Sequence, residues 1–97
     1  MKDDQVLDAL KGVCDPELGI GIVDLGLVLR ATQMPHRIDV ALMPTSPSCP
    51  LGELLVEETR EALHARFPHV TAIEVELVSS PAWSPDRMSA DARKRFG

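Results

Sequence analysis

Three kinds of side chain in this 97-residue sequence could do chemistry: the thiol of Cys49, the carboxylates of Asp15 and Glu17, and the imidazoles of His36, His64 and His69. Cys49 lies in the run Thr45-Ser46-Pro47-Ser48-Cys49-Pro50-Leu51-Gly52. There Pro44, Pro47 and Pro50 fix φ and deny the stretch sheet pairing. Pro50 stands where a first helical residue tolerates proline, and helical spacing begins at Leu51. Cys49 is therefore expected at or beside a helix N-cap, near unpaired N–H groups and the positive end of the helix dipole. Such surroundings favour the thiolate, the form that binds metal or attacks an electrophile. The plainer alternative is a small inert core cysteine. Crowded prolines suit a loop better than a core strand and weigh against it.

Asp15 and Glu17 belong to Cys14-Asp15-Pro16-Glu17-Leu18-Gly19, a loop by its proline and its glycines. Their alternative role is ordinary turn and cap chemistry, since Asp-Pro is a common turn signal. Trp83 stands between Pro81 and Pro85 in an extended arm, where it could close over a site or simply cover the edge of the core.

The elements that must position these groups can be read from periodicity. Val6, Leu7, Leu10 and Val13 keep helical spacing after Asp3 or Asp4 as a cap. Leu27 to Gln33 reads as a strand, with Leu27, Leu29 and Ala31 on one side and Val28, Arg30 and Thr32 on the other. After the turn at Met34-Pro35-His36-Arg37, Ile38, Val40 and Leu42 alternate with Asp39, Ala41 and Met43 in a second strand, antiparallel to the first. Leu51, Leu54, Leu55, Ala62 and Leu63 mark the main helix, which ends at Phe67-Pro68. Val70 to Val78 is a third strand with Ile73, Val75 and Leu77 inward and Glu74 and Glu76 outward. Ser89 can cap a last short helix.

The order α-β-β-α-β implies an α+β fold: two layers, a three-stranded mixed sheet, both principal helices on one face and a short C-terminal helix. It also implies a meeting place. In the hairpin the start of the first strand and the end of the second share one edge, which gathers the Asp15/Glu17 loop and the Cys49 loop. The main helix crosses back, so the third strand ends at that edge too and delivers Trp83. The histidines fall at the opposite edge, so none is expected to share a metal with Cys49 in one subunit. A nucleophilic thiol enzyme would want a base beside Cys49 and ranks last for the same reason.

Composition narrows the field further. The chain is expected to be one domain, residues 1–97, with an aliphatic core, since 44% of residues are apolar and only 3% aromatic. A formal charge of −5 argues against unassisted nucleic-acid binding. No apolar run approaches a membrane span and no secretory pattern opens the chain, so the protein is expected in the cytoplasm with both Cys14 and Cys49 as free thiols.

Taken in order, Asp15-Pro16-Glu17-Leu18, Ile22-Val23-Asp24-Leu25-Gly26-Leu27-Val28, Thr45 through Cys49-Pro50, Pro81-Ala82-Trp83 and Met88-Ser89 resemble the metal–sulfur (iron–sulfur) cluster assembly domain family, with its SufT-like and PaaD-like members. The resemblance covers nearly the whole chain. It implies a small domain like the C-terminal part of NifU scaffolds, a non-enzymatic role in maturing iron–sulfur proteins, and Asp15, Glu17 and Cys49 as functional positions, the candidate metal ligands. Thr45 and Trp83 are counted with them as candidate cofactor-binding residues. The implied cofactor is iron or an iron–sulfur cluster held transiently, and the implied partners are scaffold or carrier proteins and apo-clients. PaaD-like members carry a cysteine-rich C-terminal knuckle, whereas no cysteine follows Cys49 here. An adaptor subunit of an aromatic ring-hydroxylating or other oxygenase system, without metal, is the alternative. One thiolate cannot hold a cluster that normally takes four, so a homodimer sharing the cluster is expected.

Overall fold

The computed structural model describes residues 2–15, 19–44, 52–78 and 83–96. Asp3 caps the first helix, α1 (Asp4–Leu10), its carboxylate accepting from the Gln5 and Val6 N–H groups at 2.9 and 3.0 Å. A single helical turn, α2 (Ile22–Leu25), follows and ends at Gly26, whose φ of 75° is the left-handed conformation that closes a helix. The sheet is formed by β1 (Val28–Met34), β2 (Arg37–Leu42) and β3 (Ala72–Leu77) in the order β1-β2-β3, the first pair antiparallel and the second parallel. Between β2 and β3 runs α3 (Gly52–Arg66). A 3-10 turn, Pro85–Arg87, leads to α4 (Ala90–Phe96), which Ser89 caps through a hydrogen bond from the Ala92 N–H at 3.2 Å. The expected α+β order is the observed one, with α1 and α3 packed together against one face of the sheet.

Strand pairing sorts the residues into two faces. Val28, Leu42 and Leu77 form one row toward the helices, then Ala31, Val40 and Val75, then Gln33, Ile38 and Ile73. The opposite, open face carries Arg30, Ala41 and Glu76, then Thr32, Asp39 and Glu74. A bulge between Val28 and Arg30 gives β1 one extra residue, Leu29. It corrects the simple alternation expected for this strand: Val28 joins the core and is separated from Arg30 and Thr32. On the open face the Arg30 guanidinium donates to Glu76 at 2.8 Å, from β1 to β3, with Ala41 of β2 in the same row between them. Ala41 is buried although it faces away from the helices.

Two apolar residues expected in the core lie outside it. Leu54 of α3 and Leu77 of β3 are both exposed, the latter by 40%. Thr59 takes an interior place instead, aligned with Leu55 and Leu63 along the buried stripe of α3. Its hydroxyl is buried without a hydrogen-bond partner among the described residues. No helix among the described residues is long and apolar enough to cross a membrane.

Candidate functional site

One end of the sheet is assembled by short backbone hydrogen bonds. The Met43 N–H donates to the Leu27 carbonyl at 2.8 Å, and the Val78 N–H to the Leu42 carbonyl at 2.7 Å. The entry to β1, the exit of β2 and the exit of β3 therefore lie together. The start of α3 joins them: a Cβ on Gly52 would stand 2.8 Å from the Leu77 side chain, so glycine there lets the helix pass close to the strand end. The far end holds the β1-β2 turn, where the Thr71 hydroxyl and the Ala72 N–H both donate to the His36 carbonyl. His36 is thus at the end opposite the site, as strand order requires.

Asp15 lies on a loop that α2 braces. The Asp15 N–H donates to the Ile20 carbonyl at 2.9 Å, and the Gly19 N–H to the Asp15 carbonyl at 2.8 Å, while the Ile22 N–H reaches the Val13 carbonyl. These bonds close a tight loop and leave Asp15 only 2% exposed. It is not without a partner there. Asp15 lines a cavity of about 680 Å³ together with Cys14, Gly19, Glu58 and Glu61. The loop therefore lies along the middle of α3, at Glu58 to Ala62. Cys14 is a free, exposed thiol. Glu17, Thr45 and Cys49 lie outside the described residues, so the expected meeting of Asp15 with Cys49 is neither measured nor contradicted. Among the described residues no group of three or more His, Cys, Asp or Glu side chains could hold a metal ion.

Trp83 is tied to α2. Its indole N–H donates to the Leu25 carbonyl at 2.6 Å and its ring packs half-buried on the core. Among the described residues it is not part of the wall of the Asp15 cavity. The arm that carries it is anchored again at Asp24: the Ser89 hydroxyl donates to the Asp24 carboxylate at 3.1 Å, and the Ser89 N–H to the Asp24 carbonyl at 2.7 Å. Between these anchors an added Cβ on Gly26 would run into the Arg87 carbonyl. Asp24-Leu25-Gly26 is thus the seat on which the C-terminal arm rests. Sequence reasoning assigned no role to Asp24. The available signal was a charged residue inside an apolar run, followed by a glycine.

The chain matches the model of a family described as iron–sulfur cluster assembly protein over residues 3–76. It belongs to that family. It is 38% identical over 95 residues to the Fe-S protein maturation auxiliary factor YitW of Bacillus subtilis, covering 97% of this chain and 92% of that one. It is also 38% identical over 86 residues to the Fe-S protein maturation auxiliary factor SufT of Staphylococcus aureus, covering 88% and 97%. Among solved structures, a domain of unknown function, DUF59, from Bacillus anthracis superposes with a TM-score of 0.92 at 36% identity, covering 97% of this chain and 90% of that one. The likeness to SufT-like proteins that the ordered motifs suggest therefore holds at the level of family and fold.

Proposed function

We propose that this chain is an iron–sulfur protein maturation factor that works without turning over a substrate: it holds iron or a cluster briefly as cargo, or brings a carrier to an apo-protein. In this reading Cys49 is the thiolate ligand, Asp15 and Glu17 supply hard oxygen ligands suited to iron, and Thr45 and Trp83 border the cargo. The observation that carries it is the placement of Asp15. Asp15 is 2% exposed and lies on a loop beside a cavity that Cys14, Glu58 and Glu61 also line, so that donor types suited to iron border the same space. The maturation role printed for the relatives from B. subtilis and S. aureus supports the same reading.

A single motif thiol makes two copies of the chain the natural holder of a cluster, each giving one Cys49 at a two-fold axis. Scaffold, carrier and client proteins of the cytoplasm are the partners this role requires. Anaerobic reconstitution with ferrous iron and sulfide tests the proposal. The wild-type chain should take up iron, develop a thiolate-to-iron absorption band and sediment as a dimer. Cys49→Ser should lose the band and the metal-dependent dimer while keeping its fold. Full retention of the band by Cys49→Ser would remove Cys49 from the site. Stoichiometric iron on a strict monomer, with no other thiol present, would replace the shared cluster by a mononuclear carboxylate site.

A further inference from the structure

The chain treats the two edges of its sheet differently. Along the outer edge of β1 the chain's own beginning is laid down: Lys2 bridges Ala31 in parallel, and the Asp3 N–H donates to the Ala31 carbonyl at 2.9 Å. The outer edge of β3 has no such cover among the described residues. The Ala72 N–H donates to the His36 carbonyl and the Val78 N–H to the Leu42 carbonyl. Residues 72, 74, 76 and 78 therefore face β2, and alternation directs the N–H and C=O groups of Ile73, Val75 and Leu77 outward. Side-chain burial changes in the same direction. Ile38, Val40 and Leu42 of β2 are at most 1% exposed, whereas Ile73 and Val75 keep 8% and Leu77 40%. Ala72–Leu77 holds no proline, lysine or bulge to blunt this edge; its only charged side chains are Glu74 and Glu76.

Charge decides what fits there. A second copy pairing antiparallel about Val75 would set each Glu74 opposite the other copy's Glu76, like charges across a strand pair that the exposed Arg30–Glu76 ion pair offsets only in part, in a protein that already carries −5. A segment of opposite charge meets no such penalty. We propose that the outer edge of β3 is a docking site for an extended segment of a partner protein in which Lys or Arg alternates with apolar residues. Added as a further strand, the segment sets its basic side chains beside Glu74 and Glu76 on the open face. Its apolar side chains then cover Ile73, Val75 and Leu77 on the helix side. The groups this edge offers, the outward N–H and C=O of Ile73, Val75 and Leu77 and the carboxylates of Glu74 and Glu76, include neither a thiol nor a metal.

The test uses the full chain and the peptide acetyl-Lys-Val-Lys-Val-Lys-Val-Lys-amide. A peptide of equal charge with proline replacing the central valine serves as control. Amide hydrogen exchange is read residue by residue at saturating peptide. Exchange at Ile73, Val75 and Leu77 should slow by about tenfold or more, while the amides of Glu74 and Glu76, already bonded to β2, change little. The proline peptide should give no such protection. Glu74→Lys should weaken binding about fivefold, and Cys49→Ser should leave it unchanged. Equal effects of the two peptides, or no protection of the three odd-numbered amides, would reduce the contact to charge alone and overturn the proposal. Protection of those amides that rises with protein concentration in the absence of peptide would overturn it too, by naming a second copy as the occupant.

Discussion

The turn Asp24-Leu25-Gly26 and the open face of the sheet are both rich in polar contacts, yet they use them in opposite ways. At the turn, each contact ends on the backbone or on a partly buried carboxylate: Trp83 on the Leu25 carbonyl, Ser89 on both the carbonyl and the side chain of Asp24, and Arg87 packed where only a glycine leaves room. On the open face, Arg30 with Glu76 and Arg37 with Asp39 are direct ion pairs between side chains that keep contact with solvent. Backbone-directed, part-buried bonds fix a segment because they have no alternative partner once water is excluded. Exposed ion pairs lose side-chain entropy and are screened by salt. The contrast says where the molecule is committed to one geometry and where it can change sequence freely.

The largest break in that contrast is expected from Gly26→Ala. The new Cβ meets both a positive φ and the Arg87 backbone, which together cost about 2 to 4 kcal/mol by the usual penalties for left-handed alanine and overpacking. Chemical denaturation should show the loss, and Trp83, the single tryptophan, should report in its fluorescence whether the arm has lifted from Leu25. A change within experimental error would mean that Arg87 yields easily and that the arm is not tightly seated.

A smaller effect sharpens the same point. Trp83→Phe keeps most of the ring contact and deletes only the indole N–H, leaving the Leu25 carbonyl to find water; about 0.5 to 1.5 kcal/mol should be lost. If the hydrogen bond matters little, Trp83→Phe will match the wild type, and Trp83 will act through packing alone.

How much of this was legible beforehand follows from the same division. The third strand was visible because Ile73 and Val75 alternate with Glu74 and Glu76, and the second because Asp39 falls between Ile38 and Val40 after a turn signal; burial on one face imposes that period. The convergence of strand ends followed from connectivity alone. What stayed hidden depends on contacts between residues far apart in sequence. The bulge at Leu29 moved Val28 to the core, the Thr59 hydroxyl sits in an apolar stripe without a hydrogen-bond partner among the described residues, and Leu54 and Leu77 are left exposed. Asp24 reads as an interruption until Ser89, 65 positions along, is seen to bind it. Of the candidate site, Asp15 lies on the expected loop and is buried there, and Trp83 is tied to the Leu25 carbonyl, a contact that no local pattern announces.

The smallest expected effect belongs to the open face and is best sought through pH. The Arg37 Nε–H donates to both oxygens of Asp39 at 3.0 Å, and this hydrogen bond, with the attraction of Arg37 and Arg30, holds the Asp39 carboxyl below the usual carboxylate range against a smaller opposing effect of desolvation. A carboxyl whose pKa is lowered by folding contributes stability that is fully present above its unfolded value. That contribution is lost as the pH falls through the folded one. Denaturation midpoints compared between about pH 6 and about pH 3 should therefore fall less for Asp39→Asn than for the wild type. Because both side chains are open to solvent, the difference should be slight and should shrink further in high salt, where exposed charges are screened. A large, salt-insensitive difference would show that the open face is covered in solution, as a strand added along β3 or another bound surface would make it, and would erase the contrast with the Asp24 turn.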